Sequence, residues 1–331
     1  MKKVLGFLVF SLLAIVMTTG VGAAANYNIA VVAKDSTSQW VARQGEGIQK
    51  FADQTGHNAF QKGPAETDLS AQIQIIRDVM AQGIDALCVV PVDITGIEPV
   101  LKEARDEGIV VIVHEGSTVK NKDWAIDAFD NTAFGAFIMD ELAAEMGEEG
   151  VYTTMVASVT NGSHNQWVDG GIARQKSAYP KMTLLEAAPK NESGDDQERA
   201  YEKAKELLKM YPEIKGFQGS SSKDAPGIAK AIEELGLQGK VFVTGVATPI
   251  GAKQYIESGS IKAACLWDPG QVGYAMCDLA VKVLDGVKIV EGIDLNEEGY
   301  RSIHISDSDP TCLEGNAFMK VTKENVNNYS F

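Results

Sequence analysis

The sequence has few of the residues from which metal and redox sites are built. It contains four cysteines, and no two of them have zinc-site or CxxC spacing. The four histidines are scattered. We therefore expect no metal site and no cofactor. Four cysteines allow three disulfide pairings, among which the sequence does not choose, although Cys88 lies in an apolar run and is expected to be a buried free thiol.

Motifs of nucleotide-binding and hydrolytic α/β enzymes are also missing. No glycine-rich fingerprint follows the first predicted strand, where residues 33–36 read Ala-Lys-Asp-Ser. The P-loop pattern, the GxSxG elbow and the HExxH zinc motif do not occur. The sequence therefore predicts a protein without enzymatic activity.

Basic charge is scarce. Lysine and arginine number 30 against 45 aspartates and glutamates, which gives a net charge of −15. This excess repels phosphate backbones, and no cluster of basic residues interrupts it. Nucleic acid is therefore not expected as a partner.

Long apolar runs are confined to the N-terminus. Lys2 and Lys3 precede an apolar stretch over residues 4–17, and small residues fill positions 21–25. This order is typical of a secretory signal peptide, whereas a membrane anchor needs roughly 20 apolar residues. We expect cleavage after Ala23 or Ala25 and a periplasmic location. No cysteine for lipid attachment lies near the expected cleavage sites.

The rest of the chain alternates short β-rich runs with longer amphipathic ones. Strands are predicted over residues 28–33, 86–90, 109–113, 126–129, 152–158, 183–188, 216–219, 241–246 and 263–267. Helices are predicted over residues 41–55, 69–82, 96–107, 132–146, 165–179, 195–210, 225–235, 251–258 and 271–284. The repetition predicts α/β architecture with parallel sheets, and its restart near residue 132 predicts two doubly wound lobes of about 150 residues each.

Polar side chains follow most of the predicted strands. In such sheets ligands bind beyond the carboxyl ends of the strands. Three tryptophans, Trp40, Trp167 and Trp267, accompany these segments. Hydrogen-bonding groups next to flat aromatic faces suit a sugar, because its hydroxyls need partners and its C–H faces stack on rings.

Several candidates have a structural interpretation beside the functional one. Lys34 could contact a ligand oxygen or be a solvated lysine, and Glu115 could accept sugar hydroxyls or be an exposed loop acid. His164 could be a ligand contact or a mobile-loop histidine. Residues 220–222, three serines, could be pocket donors or an N-cap of the next helix, and both uses could hold for different members of the three. Residues 191–198 are interpreted as a solvated helix start without a functional role.

Several segments together resemble the periplasmic sugar-binding proteins of ABC importers, in particular the autoinducer-2-binding and rhamnose-binding proteins. They are Gly63-Pro64 with Thr67, Ser70, Gln72 and residues 73–76, residues 82–86 and 102–115, Asn165-Gln166-Trp167, Thr248-Pro249, Leu266-Trp267-Asp268, residues 323–325 and residues 329–331. The resemblance covers the chain from residue 26 onward, and its specificity lies in the order and spacing of the segments.

The resemblance implies a type I periplasmic binding protein, with two lobes joined by a three-segment hinge and the ligand enclosed between them. The lobes would comprise residues 26–128 plus 269–290 and residues 129–268 plus 291–331, with crossovers near residues 129–131, 267–269 and 290–291. It implies the ligand-binding residues Lys34, Ser38, Trp40, Asp93, Glu115, Ser163, His164, Gln166, Ser220, Ser222, Ala247, Trp267 and Asp268.

The match to the autoinducer-2 receptor weakens at the ligand. Lys34 matches the lysine of that receptor, but Glu115 stands where it has aspartate, and Ser163-His164 replace its Asp-Gln pair. Its proline and alanine become Ser220 and Ser222. Many sugar receptors also have aspartate at the position of Ala247 and arginine at that of Gln166. These polar replacements favour another small neutral sugar or a polyol.

The resemblance implies a monomeric transport receptor that delivers its ligand to the membrane subunits of an ABC permease. The alternative is a quorum-signal or chemosensory receptor on the same fold, which binds an autoinducer-2-like ligand. An exported enzyme is disfavoured, because no nucleophile–base set is found in the sequence.

Overall fold

The computed structural model of the protein describes residues 26–331. The predicted signal peptide, residues 1–25, lies outside the described residues. The first run of elements comprises β1 (Asn28–Val32), α1 (Gln39–Thr55), β2 (Asn58–Lys62), α2 (Leu69–Met80), β3 (Ala86–Val89), α3 (Glu98–Asp106), β4 (Val110–Val113) and β5 (Trp124–Asp127).

A second run follows directly. It comprises α4 (Asn131–Met146), β6 (Glu149–Val156), α5 (Gly162–Ala178), β7 (Lys181–Leu184), β8 (Lys190–Glu192), α6 (Gln197–Met210), β9 (Ile214–Gly219), α7 (Asp224–Glu234), β10 (Phe242–Val246), α8 (Pro249–Ser258) and β11 (Ile261–Trp267). The chain closes with α9 (Pro269–Leu284), β12 (His304–Ile305), β13 (Cys312–Glu314), β14 (Phe318–Val321) and a 3-10 turn, Val326–Asn328.

Local chemistry accounts for the helix boundaries. An oxygen-bearing side chain accepts a backbone N–H at the start of most of the helices, at Ser38, Asp68, Asp130, Asn161, Asp196, Thr248 and Asp268. Helix α1 ends at Gly56, whose φ of 79° is left-handed and suits glycine. These caps fix where each helix meets the sheet.

Two predominantly parallel sheets form the cores of the two lobes, as the sequence predicts. Their strand orders are β12-β13-β5-β4-β3-β1-β2 and β14-β11-β10-β9-β6-β7, with β8 paired to β6. Strand β1 is buried on both faces. Ile29 and Val31 pack with α1, whereas Ala30 and Val32 pack with α2 and α3. Helices therefore cover both sides of the sheet, which is why strands of this kind are apolar throughout.

The C-terminal region corrects the expected lobe boundary. Residues 291–331 were expected in the second lobe, but β13 pairs in parallel with β5, and β12 pairs with β13, in the first sheet. Only β14 joins the second sheet, next to β11. The third crossing therefore falls between β13 and β14, at residues 315–317, and not near residues 290–291. Pairing between strands about 190 residues apart leaves no local pattern in the sequence.

Close contacts between helices occur within each lobe. A Cβ atom on Gly47 would lie 1.8 Å from the carbonyl oxygen of Gly270, where α1 meets α9. A Cβ atom on Gly135 would lie 2.0 Å from the carbonyl oxygen of Trp167, where α4 meets α5. Only glycine permits these approaches. Within residues 26–331, no helix is both long and apolar enough to cross a membrane.

Candidate functional site

A cavity lined by residues of both lobes lies between them. It opens at the carboxyl ends of strands from both sheets, where the sequence predicts a site. Its lining consists of Lys34, Asp35, Ser38, Trp40, Val41, Val90 and Glu115 from the first lobe and His164, Trp167, Asp195, Ser220, Ser222, Lys223, Val246 and Trp267 from the second.

The wall of the first lobe is built around a buried ion pair. Lys34 follows β1, Glu115 follows β4, and the Lys34 Nζ donates a hydrogen bond to Glu115 Oε2. Burial opposes both charges, but the carboxylates around Lys34 raise its pKa above the usual value, and Lys34 lowers the pKa of Glu115. Both groups are therefore charged. Glu115 also has a left-handed backbone, with φ of 56°. Such strain in a non-glycine residue is concentrated at functional sites.

Aromatic rings form one side of the cavity. The Trp40 ring stacks on His114, with centroids 6.0 Å apart, and meets the edge of Trp267 at 6.1 Å. Both tryptophans also pack in the hydrophobic core. The buried Trp267 Nε1 has no hydrogen-bond partner among residues 26–331, and the Trp267 side chain is among those that line the cavity. It is therefore available to donate to a bound oxygen.

His164 contributes a donor from the second lobe. Its Nδ1 accepts the backbone N–H of Ala157 at 3.2 Å. Burial, together with the charge of nearby Lys34, lowers the pKa of His164 to about 3. The ring is therefore neutral at neutral pH and carries its proton on Nε2. It is a buried cavity residue, so the mobile-loop interpretation is wrong.

The three serines after β9 divide their roles. Ser220 and Ser222 line the cavity, and the buried Ser220 hydroxyl has no hydrogen-bond partner within the described part of the chain. Ser221 turns away, donating its hydroxyl to Asp195 and accepting the Lys223 N–H at 3.2 Å. Helix α7 starts after Lys223 without a side-chain cap. The N-cap interpretation of these serines is therefore wrong.

Two predicted site residues with carboxylates accept nearby backbone N–H groups instead of lining the cavity. Asp93 accepts the N–H groups of Thr95 and Gly96 at 2.8 and 2.7 Å, before α3. Asp268 caps α9 and accepts two hydrogen bonds from Arg43, at 2.8 and 2.7 Å. Carboxylates at strand ends serve helix starts as well as ligands, and sequence alone does not separate the two uses.

Three further predicted residues also lie outside the cavity lining. Gln166 accepts a hydrogen bond from Asn131 at 2.8 Å and contacts Ser117, toward the hinge. Ser163 precedes His164 on α5, and one residue along a helix turns a side chain to another face. Ala247 is fully buried next to the lining residue Val246.

The sequence interpretation missed other lining residues. Trp167 lines the cavity but is not among the predicted ligand-binding residues, and neither are Asp35, Lys223 and the apolar Val41, Val90 and Val246. Asp195 falls within residues 191–198, to which no functional role was assigned. It lines the cavity. A signal existed for Trp167, because the sequence singles out all three cleft tryptophans.

Hydrogen bonds cross the cleft around the cavity. Thr248 donates its hydroxyl to Gln39 Oε1 at 2.9 Å, the Ile94 N–H approaches the Thr160 carbonyl at 3.5 Å, and Ser117 contacts Gln166 at 3.3 Å. The lobes are therefore closed around the cavity. Among residues 26–331, all four cysteines are buried free thiols, and no group of three potential metal ligands is present.

The chain is similar in sequence to a known protein family and to sugar-binding relatives. A model described as "Periplasmic binding protein domain" matches residues 29–288. A D-allose-binding periplasmic protein of Escherichia coli is 25% identical over 88% of this chain and 94% of that protein. A ribose import binding protein of Salmonella typhimurium is 25% identical over 84% of this chain and 92% of its own length.

Solved structures share the fold. An ABC transporter solute-binding protein from Clostridium phytofermentas, with bound L-rhamnose, has a TM-score of 0.85 and 21% identity over 93% of this chain and 99% of that one. A protein from Clostridium saccharobutylicum in complex with AI-2 has a TM-score of 0.83 and 24% identity over 92% of this chain and all of that one.

Proposed function

This chain belongs to the family defined by the periplasmic binding protein domain, and we propose that it is an exported receptor which captures a small neutral sugar or polyol between its lobes. It then delivers the ligand to the membrane subunits of an ABC permease. The observation that carries this proposal is the closed cavity between the lobes, where the Lys34–Glu115 pair faces tryptophan rings.

The hydrogen-bonding groups of the cavity match a polyhydroxy compound. Glu115 accepts hydroxyl hydrogen bonds, and the Lys34 ammonium and the His164 Nε2–H donate them. The buried Trp267 Nε1 and Ser220 hydroxyl have no protein partner within residues 26–331. Because an unpaired buried polar group costs free energy, a ligand that pairs with these atoms is favoured.

The charges of the cavity favour a neutral ligand. Lys34 and Lys223 face three carboxylates, Asp35, Glu115 and Asp195, and His164 is neutral. Lys34 is already paired with Glu115. The cavity therefore has no excess of positive charge for a phosphate or a sugar acid, and burying such an anion here would be costly.

The relatives support a sugar, since the two compared by sequence are described as binding D-allose and as a ribose import protein. The second candidate function is a signal receptor, because one of the structurally similar proteins was solved in complex with AI-2. Lys34 favours that candidate, because the resemblance aligns it with the lysine of the autoinducer-2 receptor.

We also propose where the protein acts, in which oligomeric state, and what happens to its ligand. Residues 1–25 direct export, and the mature receptor acts in the periplasm as a monomer. It releases its ligand unchanged, without catalysis. Chromatography of a ligand incubated with the receptor should recover the same compound, and accumulation of a product would show an enzyme instead.

A thermal-shift screen tests the proposed ligand class. Pentoses, hexoses, deoxysugars, polyols, sugar phosphates and autoinducer-2 are each added to residues 26–331. A ligand present at a hundred times its dissociation constant adds about 2.7 kcal/mol to the free energy of unfolding. We expect one or more neutral sugars or polyols to raise the melting temperature and sugar phosphates to have no effect. A shift with autoinducer-2 alone would select the second candidate.

A further inference from the structure

Asp195 reaches the cavity from a strained turn. It lies between β8 and α6, is half-buried, and has a left-handed backbone with φ of 59°. Its carboxylate accepts the hydroxyl hydrogen bond of Ser221. Within residues 26–331, four non-glycine residues have positive φ, and two of them, Glu115 and Asp195, are acids that line this one cavity.

The electrostatic surroundings show that Asp195 lies near Lys34. The charge of Asp195 helps Glu115 to raise the pKa of Lys34, which belongs to the opposite lobe. Lys34 is nevertheless hydrogen-bonded to Glu115 and not to Asp195. Among the described residues, no ion pair involves Asp195. This carboxylate therefore faces the cavity with acceptor capacity that the Ser221 hydroxyl does not exhaust.

A purely structural role does not require a carboxylate at this position. Glycine adopts the left-handed conformation without strain, whereas a side chain there is unfavourable. The hydrogen bond with Ser221 requires only one acceptor oxygen, which asparagine also supplies. The negative charge toward the cavity is left unexplained by the fold.

We propose that Asp195 is the ligand-binding carboxylate of the second lobe, which accepts hydroxyl hydrogen bonds from a neutral ligand held at its other end by Lys34 and Glu115. This inference rests on the proposed function. Its consequence is a specificity rule. The ligand must present hydroxyl donors toward both walls, and an analogue lacking the hydroxyl at the Asp195 end binds more weakly, because the free acceptor capacity of the carboxylate then meets no ligand donor.

Two substitutions separate ligand binding from the structural role of the turn. Asp195→Gly keeps the left-handed backbone and removes the side chain, and Asp195→Asn keeps an acceptor for Ser221 and removes the charge. The matched control is Glu148→Gly, at an exposed acid with φ of 60° outside the cavity lining. Calorimetric titration with the ligand identified for the wild type gives the dissociation constants, and thermal unfolding without ligand checks the fold.

The expected pattern differs between the variants. Asp195→Gly should weaken binding about tenfold to a hundredfold, the range for losing a hydrogen bond to a charged group, and Asp195→Asn should weaken it less. Glu148→Gly should bind as the wild type does. Glu148→Gly should melt at or above the wild-type temperature, because it relieves the left-handed strain. In Asp195→Gly the same gain is offset by the loss of the acceptor for Ser221, so its melting temperature should stay close to that of the wild type. A deoxy analogue that lacks the contacted hydroxyl should bind Asp195→Gly more tightly than the wild type, because the variant has no carboxylate to leave without a ligand partner.

Two results would overturn the proposal, and they are distinguishable. If the wild type binds a neutral sugar or polyol but Asp195→Gly and Asp195→Asn bind it within twofold of the wild type, Asp195 is only a turn residue and the proposed function stands. If the wild type binds no compound of this class, the proposed function fails and the role of Asp195 fails with it. A lowered melting temperature of Asp195→Gly, restored by Asp195→Asn at unchanged affinity, would also assign Asp195 to the turn alone.

Discussion

The Nε2 atom of His164 lies 4.0 Å from Oε2 of Glu115, across the cleft between the two lobes. His164 belongs to α5 of the second lobe, and Glu115 follows β4 of the first. At this separation the two groups make no direct hydrogen bond. The donor on one wall and the acceptor on the other therefore both remain available for ligand hydroxyls.

Substitution of Glu115 tests the acceptor of the first lobe. Glu115→Gln keeps one acceptor oxygen but loses the charge, whereas Glu115→Ala loses both. We expect Glu115→Ala to raise the dissociation constant about tenfold to a hundredfold, because a hydrogen bond to a charged group is worth about 1.5–3 kcal/mol. Glu115→Gln should have a smaller effect. Calorimetric titration of both variants measures it.

Stability provides the control for this experiment. Glu115 neutralises the buried Lys34, so Glu115→Ala leaves a buried cation without its partner and should also lower the free energy of unfolding by about 3–5 kcal/mol. Glu115→Gln also removes the counter-charge, but its amide oxygen still accepts a hydrogen bond from the Lys34 Nζ, so it should lose less stability than Glu115→Ala. Wild-type affinity in both variants would exclude Glu115 from ligand binding.

Tryptophan substitution distinguishes packing from ligand contact. Trp40 is 9% exposed, packs against His114 and Trp267, and borders the cavity. Trp40→Ala should therefore weaken binding and also cost about 3 kcal/mol of stability, at the lower end of the range for such truncations. Urea unfolding and calorimetric titration measure the two effects. A stability loss with unaltered affinity would make Trp40 a packing residue only.

Tryptophan fluorescence gives an independent measurement of ligand contact with the aromatic side of the cavity. The intrinsic emission should change on titration with ligand, because Trp40, Trp167 and Trp267 all line the cavity. Trp267→Phe should reduce the ligand-dependent change. Trp124→Phe, at the start of β5 and outside the cavity lining, should leave it intact. Equal signals from both variants would contradict the placement of Trp267 at the ligand.

The sequence predicted the fold more fully than the site, and the residues show why. Apolar periodicity is local, so it revealed β1 and the helices around it, but not the pairing of β13 with β5 or the short polar strand β8. Ligands of parallel sheets bind beyond the carboxyl ends of the strands, and this rule predicted lining residues correctly. The predicted residues that line the cavity are Lys34, Ser38, Trp40, Glu115, His164, Ser220, Ser222 and Trp267.

The errors at the site have a chemical cause. Asp93 and Asp268 follow predicted strands and carry the expected carboxylates, but Asp93 accepts N–H groups in the turn before α3, and Asp268 caps α9. Asp195 follows β8, whose sequence Lys-Asn-Glu has no apolar pattern, so no strand end marked it. Whether a strand-end acid serves a helix or a ligand depends on backbone N–H groups that only the folded chain brings into place.

Closure of the lobes should be measurable in solution. The cavity draws residues from both lobes, and contacts such as the Gln39–Thr248 hydrogen bond exist only when they meet. We expect the radius of gyration from small-angle scattering to fall when ligand is added. An unchanged profile at saturation would contradict a hinge motion.

Gln39, which contacts Thr248 across the cleft, tests how closure of the lobes affects the rates of ligand binding and release. Gln39→Ala removes the acceptor for Thr248 without touching the lining of the cavity. The dissociation rate should rise about two- to tenfold, as expected for a neutral hydrogen bond, and the association rate should stay nearly constant. Stopped-flow mixing measures both rates. A slower association with unchanged dissociation would place the effect in the open state instead.

The last prediction concerns Asp224, which is fully buried behind the serines of the second lobe. Its Oδ2 accepts the N–H groups of Ser220 and Ser221 at 3.1 and 2.8 Å. Burial raises its pKa from 3.8 to about 7, and the charge of nearby Asp195 adds to the increase, although the backbone N–H groups and the Ser193 hydroxyl oppose it.

The folded chain therefore binds a proton at Asp224 more tightly than the unfolded chain does. Between about pH 4 and 7 the folded state holds more protons, so the contribution of Asp224 to the free energy of unfolding decreases as the pH rises. His164 acts in the opposite direction, because its pKa is lowered from 6.5 to about 3, and its contribution is lost as the pH falls. The pH dependence of the wild type by itself therefore contains both effects and does not separate them.

Asp224→Asn isolates the acid, since the amide oxygen still accepts the two N–H groups and no longer titrates. His164 is present in both proteins, so its effect cancels when the variant is subtracted from the wild type. The difference in the free energy of unfolding, from urea titrations between pH 4 and 8, should fall as the pH rises to about 7 and level off above it. Because a carboxylate replaced by an amide of the same shape causes little repacking, the variant should be the more stable protein at pH 8. A difference that stays constant across this range would mean that Asp224 is ionised throughout, with the N–H groups of Ser220 and Ser221 outweighing the cost of its burial.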